Sequence, residues 1–250
     1  MSVATKLTVA PQLTRDEADV TDDRIRRAER LLTLADPDDS VDLAAFLARA
    51  ARLDEAAVVR LRRRGDGLLG VWTRTGFEVL AGRVVRGTVA PADTCVAAES
   101  LRAALLAGSE PRTEVDPGWA MDSAWRGALP PDDGYVHVDD VPARILVALA
   151  QRGVALTREH GAQGPPASLL AQEVLEVSGA GTTVGVPMRM VFALGAMGFV
   201  PGSGRDSVDS TGIDPAEVVR VRASATWMRL DARFGSVYLR RGGGLGLSVL

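Results

Sequence analysis

The chain has 250 residues, a formal net charge of −3 and 46% hydrophobic residues, the composition of a globular protein large enough to bury a core without metal or disulfide staples. So mild a charge excludes a polycationic nucleic-acid coat and a long acidic tail. Of the 29 basic residues, all but Lys6 are Arg, and Asn is absent. Lys, Asn, Ile, Phe and Tyr share AT-rich codons, so the mutational bias of one GC-rich bacterial genome accounts for their joint scarcity. The Arg count as a whole is therefore not evidence of phosphate or carboxylate recognition, although Arg suits both. Only the placement of individual Arg residues carries an argument.

Residues 14–35 start acidic and then repeat Ile25, Ala28, Leu31, Leu32 and Ala35 at helical spacing, which predicts a helix with acids at its positive end. Ser40 is the expected cap of a second helix whose face is Leu43, Phe46, Leu47, Ala50 and Leu53. The period then changes. Val59 and Leu61 alternate with Arg60, Arg62 and Arg64, and 57–64, 68–74 and 77–86 read as an antiparallel meander turning at Gly65-Asp66-Gly67. Residues 94–97 run extended into a helix from Ala98 to Ala107 that Gly108 ends.

Residues 108–134 have linker composition, with Pro111, Pro117, Pro130 and Pro131. Trp119 and Trp125 nevertheless imply that this stretch packs on something, because two indoles burden a free linker. Then Tyr135–Val138 reads as a strand, and Asp139 or Asp140 as the cap of a helix with Pro142 in its first turn and Ile145, Leu146 and Leu149 inward, up to Gly153. Val154-Ala155-Leu156 reads as a strand and 161–168 as a Gly/Pro loop. A hairpin (173–178 and 182–186) turns at Gly179-Ala180-Gly181. Pro187 opens an apolar helix to Gly198, 201–214 is a polar loop, and strands at 217–224, 226–232 and 235–241 precede a loose Gly-rich tail, 242–250.

The halves echo one another. Ala57-Val58-Val59-Arg60-Leu61-Arg62 matches Glu217-Val218-Val219-Arg220-Val221-Arg222, a Trp follows in the next strand of each (Trp72, Trp227), and an apolar helix precedes both meanders. Such a repeat means one supersecondary unit used twice. The expected class is α+β, two related halves of antiparallel strands packed with helices. The expected division is an N-terminal domain over 1–108, an acidic connector over 109–134, a C-terminal domain over 135–241 and a tail over 242–250.

Little here points to chemistry. Cys95 stands alone, and His137 and His160 are the only histidines, so no disulfide, Cys-based zinc site or HExxH helix is expected, and no metal or cofactor. His137-Val138-Asp139-Asp140 is the one place where an imidazole adjoins a pair of carboxylates; strand alternation would put His137 and Asp139 on one face as a general base and its orienting acid. Residues 179–185 do not spell GxGxxG and lead into a strand rather than a helix, so they fail as a dinucleotide site. The first ten residues are too weakly apolar for a signal peptide, and the longest uncharged run, Met190–Gly204, is short of the roughly 20 residues a membrane helix needs. Cytoplasmic placement, without membrane contact, is the expectation. The better candidates are the strand faces Arg60, Arg62 and Arg64, and Arg220 and Arg222, which suit phosphates or an acidic partner.

Two stretches carry a resemblance. Val186-Pro187-Met188-Arg189-Met190-Val191-Phe192-Ala193-Leu194, with the loop and meander that follow up to Val237-Tyr238-Leu239, is similar to the C-terminal part of DNA sliding clamps. Thr94-Cys95-Val96-Ala97-Ala98-Glu99-Ser100-Leu101 is similar to the strand-into-helix step of bacterial clamp domains. The resemblance implies two α+β domains in a ring, with Arg102, Arg144, Arg152 and Arg189 on inner helices facing DNA. Asp139–Arg144 and Trp227–Arg233 also resemble uncharacterised proteins of GC-rich actinobacteria, which brings no activity. The leading expectation is a non-catalytic binding or assembly module with a protein partner or self-association. A clamp-like DNA-associated ring is the alternative, and an enzyme using His137 and Asp139 the third reading.

Overall fold

The computed structural model describes residues 30–159, 164–201 and 212–242. Its first half runs β1 (Leu31–Leu34), α1 (Pro37–Leu53), β2 (Val58–Arg63), β3 (Leu68–Arg74), β4 (Leu80–Ala90), β5 (Asp93–Ala97), α2 (Ala98–Leu105) and the two-residue β6 (Glu114–Val115). Its second half runs β7 (Val136–Pro142), α3 (Ala143–Glu159), α4 (Ala167–Ala171), β8 (Glu173–Gly179), β9 (Thr182–Pro187), α5 (Met188–Ala196), β10 (Val218–Ala223), β11 (Trp227–Ala232) and β12 (Gly235–Arg240). All strand pairings are antiparallel.

One sheet spans both halves in the order β5-β2-β3-β4-β12-β11-β10-β7, joined where Gly82, Ala81 and Leu80 face Ser236, Val237 and Tyr238. The order reads alike from either end. At each edge lies a strand that runs into a helix, followed inward by the first, second and third strands of a meander. A single row of opposed residues crosses all eight strands: Cys95, Arg60, Trp72, Gly82, Ser236, Asp231, Arg220, Asp140. The likeness extends to single hydrogen bonds. Ala57 and Glu217 donate to the carbonyls of Asp54 and Asp214, both at 2.9 Å, while their own carbonyls accept from Ala98 and Ala143, the first residues of α2 and α3. The sequence repeat at 57–62 and 217–222 is thus in structural register. The tryptophans are not: Trp72 corresponds to Asp231 in that row, and Trp227 lies opposite Arg240.

Helices cover one face of this sheet and enclose a core common to both halves, from Leu43 and Leu47 to Leu194 and Leu230. Phe46 of α1 stacks on Phe199 just past α5, centroids 6.2 Å apart. Arg52 donates to the Ala196 carbonyl at 3.5 Å, placing a cation at the negative end of α5. At the same join, Arg83 of β4 bridges Asp42 of α1 at 2.5 Å and donates to the Phe234 carbonyl at 2.7 Å.

Several expectations are corrected. Leu31–Leu34 is a strand, because it finds unpaired backbone on the far end of β4 and on β6; residues 14–29 of the predicted first helix and the tail 243–250 lie outside the described residues. Asp36, not Ser40, caps α1: its carboxylate accepts from the Asp39 N–H at 3.0 Å with Pro37 opening the helix, and the buried Ser40 hydroxyl donates to the Arg112 carbonyl instead. Asp139, Asp140 and Pro142 lie within β7, since pairing with β10 holds them extended up to Ala143. The second-half helix then continues through Gly153 and the predicted strand 154–156. Glycine is required at 153 by the Phe192 ring of α5, which a Cβ there would strike. The hairpin turn is as expected, with Ala180 and Gly181 both at positive φ, 49° and 74°.

Candidate functional site

The sheet face away from the helices is built from the arginine positions and three aromatic rings. Trp72 lies over Gly70, where a Cβ would strike its ring, and beside Gly82, where a Cβ would crowd it and Tyr238, and packs with Leu80, Trp227 and Tyr238 in a second apolar cluster. Trp72 is only 3% exposed, although it points away from the helix layer. Its cover is the connector, which crosses the sheet as a strap. Met121 donates to the Cys95 carbonyl at 2.7 Å and the Asp122 carboxylate accepts from the Cys95 N–H at 2.6 Å, so the outer edge of β5 is occupied there and closed to strand addition. Trp125, Leu129 and Tyr135 then pack on the aromatic cluster. Of the two connector tryptophans, Trp125 packs as predicted, whereas Trp119 remains 80% exposed.

Every arginine proposed on this face has an acid beside it. Arg60 makes a bidentate pair with Asp93, both contacts 2.7 Å, and lies 5.9 Å from the Trp125 ring. Arg62 reaches Asp132 of the strap at 3.1 Å and sits 5.4 Å over Trp72; Arg64 reaches Asp132 at 3.6 Å. Arg222 pairs with Asp231 at 3.1 Å, and Arg220 approaches Asp140 at 4.0 Å. Arg229, which the pattern reading passed over, lies between the Tyr135 and Tyr238 rings, 5.6 and 5.3 Å from their centroids, and bonds Asp231 at 2.5 Å. Burial works against its charge, but Tyr238 and Asp231 outweigh that and its pKa is raised. Burial also raises the pKa of both tyrosines. The sequence carried part of this as charge asymmetry, eight acids against two Arg over 109–140 and six Arg against two acids over 217–250. Only Arg220–Asp140 joins those two stretches; Asp132 is met by Arg62 and Arg64 of the first half, and Arg222 and Arg229 pair with Asp231 of their own meander.

The helix layer differs. Arg102 of α2 is tied to Glu99 at 2.6 Å, and Arg189 of α5 to Glu78. On α3, Arg144, Arg152 and Arg158 lie on the exposed side and pair with no described residue. Small Ala148 and Ala155 separate them, and at 1.5 Å per residue the stripe from Arg144 to Arg158 is about 21 Å long. Ile145, at 41% exposed, borders it. Sequence reading found Arg144 and Arg152 through the resemblance but missed Arg158, which falls on the same face once the helix continues past Gly153.

His137 and Asp139 do not meet as expected. A register shift in β7 breaks the alternation, so His137 opposes Arg222, and its neighbouring carboxylate is Asp140, 3.6 Å away. Both side chains are about half exposed. Among the described residues no group of three or more His, Cys, Asp or Glu side chains is gathered to hold a metal, and no helix is long and apolar enough to cross a membrane. Cys95 is buried; burial, with Asp122 nearby, pushes its thiol up to about 12. At pH 8 the native thiol is therefore expected to react with a disulfide reagent at least about tenfold more slowly than in the urea-unfolded chain, because the thiolate is the nucleophile. Asp122→Ala, which removes one of the two hydrogen bonds that tie the strap to Cys95 of β5, is expected to narrow that ratio; equal rates in native wild type and unfolded chain would contradict the packing described.

With this geometry in hand, comparison with known proteins is informative. Residues 27–127 match the family model of a domain of unknown function (DUF8010), and residues 130–244 match a second (DUF8185). No curated protein matches the chain. Among solved structures, a putative DNA polymerase III beta subunit from Eubacterium rectale ATCC 33656 superposes with a TM-score of 0.50 at 9% identity, over 84% of this chain and 64% of that one. The fold is clamp-like. The Caulobacter crescentus pol III beta and the Bacillus subtilis DNA polymerase sliding clamp give TM-scores of 0.48 and 0.49 at 12% and 11% identity, each again over 84% of this chain. The chain spans 64% of the length of these structures. In this clamp-like fold the continuous sheet and the helix layer are separate faces; the arginines named on the first are all paired, whereas on the second Arg102 and Arg189 are paired and Arg144, Arg152 and Arg158 pair with no described residue.

Proposed function

We propose that the protein is a non-catalytic binding and assembly module that presents its helix layer, and α3 in particular, to its partner. The carrying observation is the contrast between the two sets of arginines. Arg60, Arg62, Arg64, Arg220 and Arg222 are engaged by acids of the same chain, and a phosphate or carboxylate ligand would have to displace those acids and the strap. Arg144, Arg152 and Arg158 are exposed and pair with no described residue, so an anionic ligand gains their charge without displacing a described acid. In this reading the units are 1–108 and 135–241, with 109–134 as the strap and 242–250 as an appendage. The setting is the cytoplasm of an organism with a GC-rich genome, an actinobacterium by resemblance.

The clamp-like fold and the α3 stripe favour a second reading, a DNA-associated ring. A solved chain that shares the fold is a putative DNA polymerase III beta subunit. In such a ring the α3 arginines would meet phosphates directly, and Arg102 and Arg189 would first exchange Glu99 and Glu78 for them. Static light scattering and fluorescence anisotropy with a labelled duplex over a salt series separate the readings. A closed oligomer with duplex affinity that falls as salt rises supports the ring. A stable complex or self-association that survives high salt and is lost when α3 is altered supports the assembly module. A micromolar monomer counts against the ring. Turnover of a substrate that one non-unfolding substitution abolishes would overturn both.

A further inference from the structure

We propose that the loop carrying Trp119 in one copy of this chain docks on the α3 arginine stripe of a second copy. The proposal rests on the assembly reading above and names the partner that α3 meets. Trp119 is 80% exposed, yet the backbone around it is pinned. The Asp116 carboxylate accepts from the Gly118 N–H at 2.9 Å, Gly118 has a positive φ of 96°, and Met121 donates to the Cys95 carbonyl of β5. A large apolar ring held outward by a fixed backbone marks a contact surface rather than a loose loop.

Charge, ring and position together select a second copy. Glu110, Glu114 and Asp116, which lead up to Trp119, are exposed and form no ion pair with a described residue, and the same holds of Arg144, Arg152 and Arg158 on α3. Three acids on one surface thus match three guanidinium groups on the other, and opposite charges across an interface fix its register. The fold sets arginine beside two other indoles, Arg60 near Trp125 and Arg62 over Trp72, and such a contact strengthens once water is excluded. Trp119 has no described arginine over it. At 100° per residue, the exposed Ile145 and Val154 flank the α3 stripe on its two sides, so an indole laid there meets hydrocarbon as well as cation.

The two surfaces lie at opposite ends of the sheet. The Trp119 loop is bonded to the edge strand β5, and α3 leaves the other edge strand, β7. Seven inter-strand gaps put those edges about 34 Å apart, too far for the loop and the stripe of one molecule to meet. Each copy therefore offers a loop at one end and a stripe at the other, and the contact is heterologous, head to tail.

Two full-length variants test this by sedimentation velocity over a micromolar concentration series. One carries Trp119→Ala, Glu110→Arg and Glu114→Arg; the other carries Arg144→Glu, Arg152→Glu and Arg158→Glu. All six residues are exposed, so both variants should keep the far-ultraviolet dichroism of the wild type. Wild type is expected to self-associate, and each variant alone to associate at least about tenfold more weakly, as on removal of a central aromatic or arginine anchor. Mixed, the variants should recover the wild-type affinity as a one-to-one dimer that grows no further, because each supplies the surface the other lacks. Wild-type association that both variants retain, or a mixture without rescue, would overturn the proposal. A monomeric wild type whose duplex DNA binding is lost with the α3 substitutions would overturn the self-contact alone and leave α3 as the presented face. Self-association lost in the loop variant but kept in the α3 variant would overturn the assignment of α3 as well.

Discussion

Trp72→Ala is expected to lower the unfolding free energy by about 3–5 kcal/mol, the cost of deleting a large buried aromatic side chain from a well-packed site. The indole spans β3 and β4 beside the strands that join the halves, and it forms the floor on which the strap lies. Collapse into the vacated space is limited, because Gly70 beneath it and Gly82 beside it contribute no side chain. Urea unfolding of the purified variant measures the loss directly. Hydrogen exchange adds a discriminating readout: amides over 121–135 should lose protection in Trp72→Ala more than in Phe46→Ala, a comparable deletion from the core on the helix side. A loss below about 1 kcal/mol, or equal strap protection in the two variants, would show that the strap does not depend on the outer cluster.

Reversing charge on α3, with Arg144→Glu, Arg152→Glu and Arg158→Glu together, is expected to weaken duplex DNA binding by about 100-fold at low salt if the ring reading holds. Each lost phosphate contact should reduce the slope of log affinity against log salt by about 0.9, or about 2.7 for three. The three residues are exposed and unpaired with described residues, so stability should change by no more than about 0.5 kcal/mol per site. The same reversal at Arg60, Arg62 and Arg64 should act differently. It breaks pairs to Asp93 and Asp132 and stacking on Trp72, so it should loosen the strap and leave the salt slope of duplex binding unchanged. If the outer-face variant lost binding and the α3 variant kept it, the assignment of the contact surface would be reversed.

The two faces also explain why net charge says so little about this protein. A chain of −3 carries basic strands and an acidic connector, and the fold lays one upon the other. Exposed pairs of this kind contribute little each, but Arg60–Asp93 is bidentate and Asp132 serves two arginines. The Asp132 pairs tie the strap to Arg62 and Arg64, Arg60–Asp93 ties β2 to β5, and Trp125, Leu129 and Tyr135 pack this stretch on the aromatic cluster.

Local pattern alone identified both meanders, the hairpin, the helices at α1, α2 and α5 and the internal repeat, because each rests on a period of 2 or 3.6 that a single segment displays. It also bounded the chemistry, since one Cys and two His leave few sites to consider. What lay beyond it were contacts between segments far apart in the chain. Leu31–Leu34 has helical spacing but is a strand because β4 and β6 offer it backbone partners. Gly153 reads as a helix end but lies inside α3 because Phe192 occupies the space a side chain would need. His137 and Asp139 alternate on paper, yet a register shift against β10 turns Asp140 toward the imidazole instead.

Local pattern, together with length and charge, thus determined an α+β chain with no bulk charge to announce a partner. Tertiary structure alone decided which arginines are available. Ion pairing depends on distances of a few ångströms between residues tens of positions apart, as from Arg62 to Asp132, and only the folded sheet, with the strap across it, brings such residues together.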